Sequence, residues 1–260
     1  MKDKSLNKIR LLIIALVLLG IGILTVSVIL LRYRAGYKAD SDAYKSIEKK
    51  ALDSDTGKFD LDSLKSINED AVAWLWACNG LISGPVVSST DDDYYLHHRF
   101  DRQEAACGTF FADRYTSPAF KSPITIVFGH NMNDGSMFNK LLEYKNESYL
   151  KENDSFTVFT EKGAEKYKIF SVFFSDYYDI PWIAERCKPG SANEGVCLNY
   201  RSRGGLGMKD FLERVSERSL FKVDISDVSG LEHEAKVVVL CTCENIDADK
   251  RFVVYGVHIQ

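Results

Sequence analysis

From about Trp74 onward the chain consists of short runs rich in β-branched and aromatic residues: GPVVSS, CGTFFA, PITIVFGH, DSFTVFT, EKYKIFSVFFSDYY, KVVVLCT and RFVVYGVHI. Turn formers such as SSTDDD, NMNDG and EKG separate them. Short strands at this spacing, without a helical pattern in each gap, call for a sandwich or a barrel rather than alternating β/α units. One gap differs. Between Tyr178 and Val237 a long connection contains GMKDFLERVSERSL, which puts Leu206, Phe211, Val215 and Leu220 near one helical face with charges opposite. The expected architecture is a closed, mainly β barrel with an extra helix in the connection before the strand that begins at Val237. Ahead of the barrel, SDAYKSIEKKALDSD has a helical pattern, and Leu61, Leu64, Ile67 and Val72 continue near helical spacing. These segments predict an N-terminal helical layer.

The other strong constraint lies at the N-terminus. LLIIALVLLGIGILTVSVILL, from Leu11 to Leu31, has no charge, proline or amide side chain. At about 1.5 Å per residue such a helix spans roughly 32 Å, the thickness of a bilayer core. A cleaved signal peptide and a buried core helix compete with an anchor, but signal peptides have shorter apolar regions and a small-residue cleavage site. Lys2, Lys4, Lys8 and Arg10 precede the span, and Arg32, Arg34 and Lys38 follow it. This slight excess favours a cytoplasmic N-terminus and an exported C-terminal domain. The net charge of −4, from 33 Lys and Arg against 37 Asp and Glu, argues against a nucleic-acid partner.

Six cysteines, Cys78, Cys107, Cys187, Cys197, Cys241 and Cys243, are too few and too scattered for a disulfide scaffold. Cys187 with Cys197, and Cys78 with Cys107, remain open as pairs, although packing as small hydrophobes is the simpler reading. His97 and His98 are adjacent, so in a strand they point apart, and no carboxylate or cysteine stands at ligand spacing. Asp91, Asp92 and Asp93 are consecutive and cannot all face one ion; a solvated turn is the better reading. No metal and no organic cofactor are expected.

Nucleophilic catalysis by cysteine needs a thiolate, a proton carrier and a donor for a developing oxyanion. Three residues at strand ends offer these. Cys243 closes the run VVVLCTC before the acidic loop ENIDAD, and Cys241, two residues deeper on the same face, is the weaker candidate. His130 closes ITIVFGH before the turn NMNDG. Arg251 opens RFVVYGV eight positions after Cys243, as in a hairpin that brings the chain back beside the cysteine. A guanidinium cannot act as a base, so its use there is charge stabilisation or substrate clamping.

The line LCTC followed by RFVV resembles the signature of sortases, the membrane-anchored transpeptidases of Gram-positive bacteria: Thr-Leu-x-Thr-Cys with an arginine on the next strand. Here Val239 takes the place of the first threonine, followed by Leu240, Cys241, Thr242 and Cys243. The segments DAVAWLWACNGLISGPVV with DDDYYLHHRF, CGTFFADRY and VFGHNMNDGSMFNKL look like class B sortases in particular. The resemblance covers roughly residues 71 to 257, and the helix-bearing insertion is also a class B trait. Cys78 and Cys107 stand where other small or apolar residues would be expected.

The resemblance implies an eight-stranded barrel with Cys243 as nucleophile, His130 as general acid and base, and Arg251 as oxyanion or substrate stabiliser. Thr242 and Leu240 are implied as substrate contacts. The implied reaction cleaves the C-terminal sorting signal of a secreted protein after threonine and passes the acyl group to an amine of a lipid II-type cell-wall precursor. A pilin lysine as acceptor, which makes the enzyme a pilin polymerase, is the alternative within the family; a membrane-anchored binding domain is the alternative outside it. The implied organisation is a cytoplasmic tail (1–10), a transmembrane anchor (11–31), a stalk and helical region (32–70) and an extracellular catalytic domain (71–260).

Overall fold

Alternation of side chains along paired strands gives this barrel two layers of apolar packing, one inside its wall and one outside. The structure, a computed structural model, describes residues 2–52, 59–88, 91, 93–113, 119–176, 208–223, 235–243 and 250–259. Among them are eight strands: β1 (Ala71–Ala77), β2 (Ile82–Ser88), β3 (Phe110–Ala112), β4 (Ile124–Phe128), β5 (Ser155–Thr160), β6 (Gly163–Asp176), β7 (Val237–Cys243) and β8 (Lys250–Ile259). They close in the order β1-β2-β3-β4-β7-β8-β6-β5. Pairs β2/β3 and β4/β7 are parallel, and the rest are antiparallel. The expected closed eight-stranded barrel is thus the observed fold.

The barrel interior is filled by Leu75, Val86, Val127, Val158, Val238 and Leu240, among others. Residues of opposite parity on the same wall, Ile126, Val239, Cys241, Val253 and Tyr255, pack outward. They are covered by the helix of the long connection, α5 (Met208–Glu217), through Phe211, Leu212 and Val215. Ser171 on β6 ties that helix down by donating its hydroxyl to the Val215 carbonyl at 2.7 Å. The apolar face of α5 differs from expectation in one residue: Leu220 is 45% exposed, and Leu212 is buried instead. Leu220 lies past the helix end, where its N–H bonds the Val172 carbonyl, so the helical period no longer governs it. Leu206 lies outside the described residues.

Residues Met1–Ala43 and Tyr44–Gln260 form two units. The first is helical, part of α1 (Lys2–Ala51); from Ile9 onward this helix is long and apolar enough to cross a membrane, with a mean hydropathy of 3.0 in its most apolar window. In the second unit the end of α1, through Ile47 and Ala51, joins Leu64 of α2 (Leu61–Ile67) and Trp74 of β1 in a further outer layer. The helical spacing expected to continue to Val72 stops at Ile67. Asn68 leaves the helix with extended backbone, and β1 pairs with β2 from Ala71 and with β5 over Trp74–Trp76, Val72 falling at a break in the β2 register. Pairing on two edges with burial on both faces outweighs a helical pattern carried by one valine.

Two short helices complete the part that positions the site. Tyr94–His97 forms α3. Asp91 causes this: its Oδ1 accepts from the N–H groups of Asp93 and Tyr94 at 2.9 and 2.7 Å, turning the chain. His97 pairs with Asp93 at 3.6 Å, and His98 stacks on the Tyr94 ring. The residues after His130 form a 3-10 segment, Phe138–Lys145, followed by α4 (Glu147–Glu152).

Candidate active site

Strand register brings three of the sequence candidates into one row. In the parallel pair β4/β7, Ile124 lies beside Val237 and Phe128 beside Cys241. The pairing continues past the strand end, since the Gly129 N–H donates to the Cys241 carbonyl at 3.2 Å and the Thr242 hydroxyl donates to the Gly129 carbonyl at 2.9 Å. The same offset sets His130 level with Cys243. In the antiparallel pair β7/β8, Cys243 lies directly opposite Arg251, and Arg251 lies opposite Ser175 of β6. Neighbouring strands are about 4.8 Å apart. The backbones of His130 and Arg251 therefore flank that of Cys243 at about one strand spacing on either side.

Positions 243 and 251 lie two residues from Cys241 and Val253 on their strands, and the side chains of Cys241 and Val253 belong to the outer layer under α5. The expected hairpin between Cys243 and Arg251 is the observed β7/β8 pair. Half-buried His130 is held from three sides. Its Nε2 is 2.7 Å from the Leu96 carbonyl, its own carbonyl accepts from the Phe138 N–H at 2.8 Å, and the following loop is closed by Asn139 donating to the Asn131 side chain at 2.9 Å. The half-buried Arg251 donates from Nη1 to the Lys250 carbonyl at 3.1 Å.

The other candidates are placed differently. Leu240 is fully buried in the barrel interior, and Thr242 is 1% exposed with its hydroxyl spent on the Gly129 carbonyl. Neither side chain is exposed to solvent. Thr242 instead locks the end of β7 to the residue before His130, which keeps the row in register. Cys241 is fully buried, as are Cys78 and Cys107 to within a few per cent, and none of the three forms a disulfide. Burial pushes the Cys78 thiol up from its ordinary value, and its S–H points to the Lys140 carbonyl at 3.9 Å. Cys187 and Cys197 lie outside the described residues. We expect Cys78, Cys107 and Cys241 to resist a charged thiol reagent in the native protein and to react after unfolding, as peptide mapping of labelled chains will show.

Gly129 shows how closely the row is packed. A Cβ there meets the stacked rings of Phe110 and Phe138 at 2.6 and 2.7 Å, and both rings are buried. Gly129→Ala is expected to cost about 1–3 kcal/mol through overpacking. A urea titration will show this as a lower midpoint at unchanged slope. Sequence reasoning missed Gly129, and it missed the partner of His130, because a main-chain carbonyl has no residue-type signature. Among the described residues no group of three or more His, Cys, Asp or Glu side chains is placed to hold a metal ion. A cavity of about 1010 Å³ bounded by Leu52, Phe59 and Thr160 lies at the other end of the barrel.

A closed eight-stranded barrel with a cysteine, a histidine and an arginine level at one rim defines a narrow class of folds. Residues 86–259 match the sortase domain family. The chain is 31% identical over 203 residues to sortase B of Listeria monocytogenes, covering 76% of this chain and 73% of that one. It is 22% identical over 246 residues to sortase B of Staphylococcus aureus, covering 94% and 92%. A mutant form of Clostridium perfringens sortase B has a similar structure, with a TM-score of 0.67 at 27% identity over 85% of this chain and 98% of that one. The chain belongs to the sortase family, in its class B branch, and is thus a cysteine transpeptidase.

Proposed function

We propose that this transpeptidase cleaves a C-terminal sorting signal after threonine and joins the new C-terminus to an amine of a cell-wall precursor. The observation that carries the reading is the row of His130, Cys243 and Arg251 on adjoining strand ends. The Cys243 thiolate attacks the threonine carbonyl, and Arg251 donates to the oxyanion or holds the signal peptide. Collapse of the tetrahedral adduct expels the amine of the following residue, which takes a proton from His130, and leaves a thioester on Cys243. The incoming amine loses a proton to His130 as it attacks the thioester, and Cys243 is released as thiolate. No step consumes water, so the net reaction is transfer.

The same reading assigns residues 71–260 to the catalytic domain and the apolar part of α1 to an anchor, with Met1–Arg10 cytoplasmic and the barrel outside. The length and hydropathy of the helix and the excess of basic residues before it support this orientation. Protease added to intact protoplasts is expected to digest or release the barrel; a barrel that stays protected while the N-terminus is cut means the reverse topology. The reaction itself is tested by supplying a sorting-signal peptide with and without a peptide that has a free amino terminus. Transfer product that depends on the amine supports the reading, whereas equal turnover to hydrolysed product in both arms makes the protein a plain protease.

A further inference from the structure

We propose that Gly108 and Tyr95 are positioning residues for His130. They act through the Leu96 main-chain carbonyl, which holds the imidazole as its Nε2–H tautomer and leaves Nδ1 to exchange the proton with Cys243. The proposal rests on the transpeptidase reading above for the use of that proton, but not for the tautomer.

Nε2 of His130 lies 2.7 Å from the Leu96 oxygen. A carbonyl only accepts, so the hydrogen is on Nε2, and a neutral ring then has its lone pair on Nδ1. The opposite tautomer sets two lone pairs against each other across that contact. Throughout the two half-reactions Nε2 keeps its hydrogen, and Nδ1 alone gains and loses one.

The carbonyl that imposes this is itself built in. Tyr95, the preceding residue, is 2% exposed; its hydroxyl donates to Asp70 Oδ2 at 2.6 Å and accepts from Asn68 Nδ2 at 2.8 Å. Asn68, equally buried, gives its other amide hydrogen to the Phe100 carbonyl at 2.9 Å. The Tyr95 carbonyl accepts from the Thr109 N–H at 2.9 Å, so the two ends of the loop are joined beside Leu96.

Gly108 makes the approach possible. Its φ is +58°, and a Cβ there lies 2.5 Å from the Tyr95 oxygen and 2.8 Å from the Leu96 oxygen, both main-chain atoms that cannot rotate away. The Gly108 carbonyl is fixed in turn by the Tyr44 hydroxyl at 2.5 Å. Any side chain at position 108 therefore pushes directly on the acceptor of His130.

The test uses the full chain in detergent, labelled with 15N-histidine, with the His130 signals identified by their loss in His130→Gln. The neutral ring is expected to show protonated Nε2 and unprotonated Nδ1. A protonated Nδ1 overturns the proposal, and because no substrate is present it does so without touching the transpeptidase reading. Gly108→Ala is expected to lower kcat at least about 10-fold, a part of the roughly 10²- to 10⁴-fold that a positioned acid/base group supplies. KM should stay within about 2-fold, since peptide binding is not at stake, and the two nitrogen signals should move toward their average. Unchanged kcat and an unchanged spectrum overturn it. Should Gly108→Ala fail to fold, Tyr95→Phe keeps the ring, removes the hydroxyl and is expected to shift kcat and spectrum the same way; an unaltered spectrum there is equally fatal.

Discussion

Replacing Cys243 with alanine will reduce transfer of a sorting-signal peptide by at least about 10⁴-fold, because removal of a nucleophile eliminates the covalent path and leaves only binding and oxyanion contacts. Cys241→Ala is the matched control. Cys241 is fully buried in the layer under α5, two residues below the row, so its loss is expected to cost about 1 kcal/mol of stability and little activity. Both variants should retain the wild-type circular dichroism spectrum, and rates are to be compared on that condition. A folded Cys241→Ala protein with no activity, beside an active Cys243→Ala, reverses the assignment of the two cysteines.

Arg251→Lys is the second large effect. Position 251 is directly opposite Cys243 across a strand pair, where the planar guanidinium offers several donors in a fixed fork and lysine offers a single mobile ammonium. Losing one donor to an oxyanion typically costs about 10²- to 10³-fold in rate, or roughly 2.7–4 kcal/mol. Peptide transfer should fall by that factor while Cys243 continues to react with a small uncharged alkylating agent, which needs no clamp. Near-normal transfer by the lysine variant reduces Arg251 to a point charge at the rim.

How much of this was legible beforehand depends on what kind of signal each feature carries. The barrel showed itself in short β-rich runs, and the hairpin that joins Cys243 to Arg251 in their eight-residue separation, because both are local patterns. His130 was visible as a histidine at a strand end, but its level with Cys243 comes from a parallel pairing between strands more than a hundred residues apart. No local pattern encodes that register. Val72 misled because a single apolar residue fits helical and extended periods alike, and only the pairing of the strand around it decides between them. The helical turn of YYLHH was not legible for a different reason: it is set by Asp91, upstream of the motif itself. The burial of Leu240 and Thr242, expected as substrate contacts, is foretold by strand parity only once the barrel's inside is known. Beyond these, the Leu96 carbonyl is a backbone group, and a sequence names side chains.

The most direct measurement of the central claim is the mass of the enzyme during turnover. Mixed with a sorting-signal peptide and quenched in acid, the protein is expected to gain the mass of the peptide acid through its threonine, less the elements of water, on the proteolytic fragment that contains Cys243. Addition of an amine acceptor before the quench should remove that adduct and yield the transfer product in equal amount, and hydroxylamine should remove it as a hydroxamate. An adduct on another residue, or product that accumulates while the Cys243 fragment stays at its unmodified mass and the Cys243→Ala protein still turns over, contradicts the thioester route and with it the account given for the row of His130, Cys243 and Arg251.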